Sequence, residues 1–160
     1  MDLKFRVSGR IARPVAEVFA AVVDPANLSN YFTTGGAKGR LEPGATVTWD
    51  FADFPGAFPV DVVEVEKDRR IVLRWDAHEG AVDHEAGSWQ EGGYQTQVTM
   101  TFEPIDDGAR TLVTIAEEGW RETAGGLAAS YDNCGGWSQM LCAMKAWLEH
   151  GINLREGMYR

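Results

Sequence analysis

Residues 135–154, GGWSQMLCAMKAWLEHGINL, place Trp137, Met140, Leu141, Met144, Trp147 and Leu148 at spacings of three and four. That spacing predicts one long α-helix with a wide apolar stripe, because residues three and four apart share a helix face. Such a stripe must be covered. The segments before it show the two-residue period of strands, so the obvious cover is a sheet. Bulky tryptophans and methionines across a curved sheet leave irregular space between the layers, and a ligand can use that space.

Upstream, Leu3, Phe5 and Val7 alternate with Lys4, Arg6 and Ser8, which reads as a half-buried strand over residues 3–11 with Gly9 a candidate bulge. Pro14 opens a helix whose stripe is Val15, Val18, Phe19, Val22 and Val23, and Asp24-Pro25 ends it. A second short helix follows over residues 26–31, and Gly35, Gly36 and Gly39 mark a loose connection. Residues 45–51 read as a strand with Val47, Trp49 and Phe51 on one face, and residues 54–59 as a turn-rich interruption. Strands at 60–66 and 71–75 form a hairpin around the charged turn 67–70. Residues 76–93, rich in glycine and acid, read as a long exposed loop. A second hairpin joins 95–103 to 110–117 around Asp106-Asp107-Gly108, and a Gly-rich segment at 119–129 leads to the last helix. The order of strand, two helices, a meander of five or six strands and one long helix defines an α+β fold, an antiparallel sheet with helices on one face.

A chain of 160 residues with 44% hydrophobic and 11% aromatic residues fits a single domain over 1–160 with a sizeable core. Its formal charge of -9 opposes any general field for phosphate backbones or anionic lipid, so neither nucleic acid nor a membrane is an expected partner. No apolar run reaches the roughly 18 to 20 residues of a bilayer span, and the start lacks a signal peptide's apolar core. The expected location is cytoplasmic. Cys134 and Cys142, eight residues apart on or beside one helix, stand about 12 Å from each other along its axis, too far for a disulfide. They are expected as reduced thiols, Cys142 as a small packing residue.

The stretches IARPVAEVFAAVVDPANLSNYF, VVEVEKDRRIVLRW, TMTFEPIDDGARTLVTIAEEGW and GGWSQMLCAMKAWLEHG, in this order, resemble the START-like or birch-pollen-allergen-like superfamily. Within it the chain is similar to the branch named after an activator of a heat-shock chaperone ATPase. The resemblance covers nearly the whole sequence. It implies a helix-grip fold, a strongly curved antiparallel sheet of six to seven strands wrapped around the C-terminal helix, with a cavity between them. It also implies an apolar small-molecule ligand such as a lipid, sterol or polyketide; some cyclase and aromatase relatives do chemistry in the same cavity. The chain departs from the branch in its acidic 76–93 segment, and in Glu117-Glu118 where relatives often carry His-Ser.

In a sheet curved around a helix, Trp49, Phe51, Leu73, Trp75, Met100, Phe102 and Ile115 point towards Trp137, Met140, Leu141 and Met144, and this set is the candidate ligand lining. Apolar patterning alone favours a solid core of the same residues, since interiors are close packed, and the resemblance shifts the expectation to a cavity. Trp120 and Tyr131 stand as gate residues with a polar group for a ligand's polar end. Glu117 continues the inward alternation of Val113 and Ile115, and it reads either as a rim carboxylate with a raised pKa or as a solvated group paired with Arg74 or Arg121. His78 and His84, among Glu79, Asp83 and Glu85, have no ligand-like spacing and are expected to bind no metal. The chain has no nucleophile elbow, phosphate loop, paired-cysteine zinc spacing or dinucleotide fingerprint, and no cofactor is expected. Binding of a hydrophobic or aromatic small molecule is therefore the first expectation. A cyclase, aromatase or hydrolase using Glu117 and Tyr131 as acid and base is the second, and a chaperone-interacting module the third. Homodimerisation through a free strand or the aromatic 49–59 region is left open.

Overall fold

The computed structural model describes residues 2–52, 54–79 and 91–158. Its elements are β1 (Leu3–Ile11), α1 (Val15–Val23), α2 (Pro25–Tyr31), β2 (Gly36–Lys38), β3 (Thr46–Phe51), β4 (Phe54–Glu66), β5 (Arg70–His78), β6 (Glu91–Ile105), β7 (Arg110–Trp120) and α3 (Ala124–His150). The strands make one antiparallel seven-stranded sheet in the order β1-β7-β6-β5-β4-β3-β2, so the chain's first strand closes on its last and the rest is a meander. The sheet is curved, and this is an α+β fold of the helix-grip kind. Register shifts at Leu3/Lys4, Trp49/Phe51, Val62/Glu64 and Asp76/His78 put irregularities in four of the strand pairs. Each local mismatch bends and twists its strand, which is how a sheet coils over a helix.

Several expectations are corrected. Helix α3 starts at Ala124, well before residue 135, because Thr123 caps it by accepting the N–H of Gly126 at 3.0 Å. Glycines that look like breakers are part of its first turn, and at Gly126 a Cβ would come within 2.0 Å of the Arg121 carbonyl oxygen. The helix stops at His150 and does not run to residue 154, because Gly151 turns into the left-handed region at φ 68°. Residues 54–59 are no interruption: β4 runs through them, with Trp49 opposite Phe58 and Thr48 opposite Pro59. The loose connection at 35–39 contains the short edge strand β2. Both ends of the expected 76–93 loop are strand, as β5 continues to His78 and β6 begins at Glu91. Residues 80–90, including Asp83, His84 and Glu85, lie outside the described residues. Gly9 is no bulge; it pairs in register with Val113, and Leu141 of α3 lies over it. Cys142 is exposed and fills no core space.

Helices α1 and α2 close one end of the sheet. The last carbonyls of α1 lack intrahelical partners, and one is satisfied from outside: Tyr31, at the end of α2, donates its buried hydroxyl to the Ala21 oxygen at 2.9 Å. Removing that donor leaves a buried carbonyl unpaired. Tyr31→Phe is expected to lower stability by about 1–2 kcal/mol in urea unfolding with an unchanged slope; no loss would mean that water reaches this carbonyl.

Candidate functional site: a buried carboxyl in an aromatic layer

The backbone of α3 packs chiefly along β1 and β7, on one side of the sheet. Over β3, β4 and β5 the space under the helix is bridged by rings. Phe32 touches Trp49, Phe51 and Trp137 with centroids 5.5, 5.0 and 5.4 Å away, and Trp75 touches Trp49, Phe58 and Trp137 at 5.9, 5.7 and 5.4 Å. Phe51 stacks on Phe58, and His78 tilts against Phe58 at 5.8 Å. Edge-to-face and offset contacts of this kind add to what burial alone contributes. Phe58, Trp75 and His78 are only partly buried, so they form the margin of the layer.

Alternation along β7 turns Thr111, Val113, Ile115 and Glu117 inward together, and Glu117 is 0% exposed. Its Oε2 accepts the indole N–H of Trp75 at 2.9 Å and the hydroxyl of Thr96 at 2.7 Å, and its Oε1 accepts the indole N–H of Trp137 at 2.8 Å. The Asn133 amide reaches both oxygens, at 3.2 and 3.0 Å. All four partners are neutral donors. The carboxyl is thus neither solvated nor paired with Arg74 or Arg121: Arg74 donates to Gln97, and Arg121 lies over the ring of Tyr94. Burial pushes the Glu117 pKa up, and the hydrogen bonds from Trp75, Thr96, Trp137 and Asn133 pull part of the way back.

Of the candidate lining residues, Trp49, Phe51, Leu73, Met100, Phe102, Ile115, Trp137, Met140, Leu141 and Met144 lie in one continuous buried cluster, with Trp75 packed against it. Trp120 lies apart in a second cluster with Ala77 and Ala129, stacked on Phe5. Tyr131 is 69% exposed. It stands two residues before Asn133, a step that points it away from the helix face carrying Asn133 and Trp137. Phe32, Phe58, Thr96 and Asn133 belong to the site and went unflagged in the sequence. Thr96 shares the alternation of Val98, Met100 and Phe102, and Asn133 precedes Trp137 by one helical turn, so both periods pointed to them.

A second polar group closes the far end, where the Tyr94 hydroxyl donates to the Glu79 carboxylate and accepts the N–H of Arg121 at 3.0 Å. Glu79 lies against Gly125 and Gly126 at the start of α3, where a negative charge suits the helix dipole. An open depression of about 450 Å³ lies at another place, between the start of β1, the end of β7 and the neighbouring stretch of β6, lined by Lys4, Arg74, Gln97 and Glu118 among others. Among the described residues no group of His, Cys, Asp and Glu is arranged to hold a metal ion, and no helix is long and apolar enough to cross a membrane.

A curved antiparallel sheet gripping a long C-terminal helix defines the helix-grip class. The sequence profile of the "Activator of Hsp90 ATPase homolog 1-like protein" family matches residues 12–149, and the chain belongs to that family. No curated protein matched the sequence. Among solved structures, SSP2350 from Staphylococcus saprophyticus is similar with a TM-score of 0.71 and 24% identity, over 97% of this chain and 96% of the other. DynU16, from the dynemicin biosynthetic locus, is similar at 0.72 and 24%, over 94% of this chain and 49% of the other. The Aha1 dimer from Colwellia psychrerythraea is similar at 0.67 and 18%, over 92% and 97%. At these identities the likeness is one of fold.

The raised pKa of Glu117 means that the folded state favours its protonated form over the unfolded chain. The stability this contributes is complete below the ordinary carboxylate range and is lost as pH rises through the raised value. Glu117→Gln does not titrate. The stability of the wild type minus that of Glu117→Gln is therefore expected to fall as pH rises above the ordinary carboxylate range in urea unfolding. A difference that grows with pH would show that the donors outweigh burial.

Proposed function

We propose that this protein binds a hydrophobic or aromatic small molecule between α3 and the β3–β5 side of the sheet. The observation that carries the reading is the layer of rings spanning that space, with the half-buried Phe58 and Trp75 at its margin. The backbone of α3 approaches β1 and β7, so this half of the interior is filled by side chains. Apolar burial at about 25 cal/mol per Å² supplies the affinity, and a few polar groups supply orientation. A structural neighbour from a biosynthetic locus is company that a small-molecule binder keeps. The two unpaired cysteines, one of them exposed, support a reducing compartment such as the cytoplasm.

Binding is favoured over acid-base catalysis by Glu117 and Tyr131, because the first is enclosed by four donors and the second lies on the outer side of α3. Nile red, a neutral apolar dye, is expected to show saturable one-site enhancement with this protein, reversed by competing lipids, sterols or polycyclic aromatics. Phe58→Asp, at a half-buried position, is expected to retain the fold by circular dichroism and to weaken the dye by about tenfold or more, the order of one lost apolar ring contact. An absence of saturable response to the dye and to every competitor, with tryptophan emission unchanged, would end the reading.

A further inference from the structure

The layer's three indoles differ in one respect. Trp75 and Trp137 give their N–H groups to Glu117 at 2.9 and 2.8 Å. Trp49 touches both, with centroids 5.9 and 6.4 Å away, is 1% exposed, and its Nε1 has no hydrogen-bond partner. Buried donors are almost always paired, and leaving one unmade is costly. Glu117 does not serve it, since its two oxygens accept from Trp75, Thr96, Asn133 and Trp137. Trp120 also carries an unpartnered Nε1, but it lies in the separate cluster with Ala77 and Ala129.

We infer that Trp49 is the polar anchor of the ligand site, and that the ligand is an aromatic ring system bearing a neutral hydrogen-bond acceptor, a ketone or quinone carbonyl, that takes the Trp49 N–H. The inference rests on the binding reading above and adds the ligand's chemical class. Rings flank Trp49 and favour a flat apolar partner: Phe32 edge-on at 5.5 Å, Trp75 and Trp137 beside it, and Phe58 at the paired position on β4. Phe58 is partly exposed, faces Trp49 across the β3–β4 pair, and makes no hydrogen bond to Glu117, so its ring can turn without disturbing that centre. An anionic acceptor is disfavoured. The groups that donate around Glu117 are all neutral, so an ionised guest beside the same indoles loses its water with no ion pair there to offset it.

Three naphthalenes of similar size separate the possibilities: methyl naphthyl ketone, ethylnaphthalene and naphthoate. Each is titrated into the intact protein while tryptophan emission and the indole N–H resonances are followed. The ketone is expected to bind about tenfold more tightly than the hydrocarbon, the order of one satisfied buried donor, with naphthoate weakest. The Trp49 indole proton, assigned by its loss in Trp49→Phe, moves downfield with the ketone alone. Trp49→Phe brings the ketone to the hydrocarbon's affinity. Should that variant fail to fold, the wild-type downfield shift still decides, with the resonance assigned through the backbone. Equal affinity for ketone and hydrocarbon with the Trp49 resonance unmoved overturns this inference and leaves the binding reading standing. Silence from all three compounds overturns it too, and takes the binding reading with it only if Nile red is also inert.

Discussion

The hydrogen bonds that converge on Glu117 are the constraint from which the rest of the interior follows. One carboxyl on β7 holds Trp75 from β5, Thr96 from β6, and Asn133 and Trp137 from α3. Sheet and helix are tied at one buried point by groups that have no other place to go. A carboxyl without a charged partner pays desolvation on entering the interior, and only hydrogen bonds of good length return it. All four groups therefore have to be present together. Losing one removes part of the compensation for a buried carboxyl, and because the donors come from β5, β6 and α3, this centre couples the position of α3 to the strands beneath it.

The same bonds set the orientation of two large rings. An indole that donates to a fixed oxygen has its plane and edge specified, and Trp75 and Trp137 are in contact with each other, at 5.4 Å between centroids, while they donate. Their faces and edges then define where Trp49, Phe32 and Phe58 can pack. The helix packs its backbone chiefly against β1 and β7, and the curved sheet carries β3 to β5 to the other side of the rings. What separates the two halves is side-chain size, large and rotatable on one side and close backbone approach on the other. Rings in rotamer wells move more readily than paired strands, so any adjustment to a guest falls on the aromatic half.

The fold was legible because its two periods are clean. Leu3 to Val7 and Val98 to Phe102 alternate strictly, and Trp137 to Leu148 repeats at helical spacing, so element types and the α+β order followed from residue pattern alone. Several of the misses share a cause, that glycine and proline were weighed as local breakers while tertiary packing decided otherwise; the end of α3 is the reverse case, where Gly151 does stop the helix. Gly125 and Gly126 start α3 because an adjacent carbonyl leaves no room for a Cβ at Gly126, and Pro59 sits within β4 opposite Thr48. Of the site, the inward direction of Glu117 was legible from alternation, but its partners were not. A carboxylate on a strand is ordinarily solvated or paired with arginine, and only three-dimensional proximity reveals two indoles, a threonine and an asparagine around it. Phe32 was hidden because it lies just past the end of α2, and Phe58 because it stands among prolines and a glycine that read as a turn, although it keeps the alternation of Val60 and Val62 in β4.

Membership of the family fixes the frame and leaves the interior chemistry to the individual chain. Structures at 18 to 24% identity share this sheet and helix to TM-scores of 0.67 to 0.72, so the backbone geometry tolerates wide change in sequence. A fold held by backbone ladders and a few bulges does not require tryptophan at 49, 75 and 137, nor glutamate at 117. Those four residues carry large side chains with polar edges, and interiors under selection for stability alone are better served by aliphatic groups that bring no donor needing a partner. Keeping three indoles and a carboxyl in contact costs desolvation at every N–H. An interior that specifies the orientation of its rings this tightly carries more polar constraint than stability alone requires, and Phe58 and Trp75 form its half-buried margin.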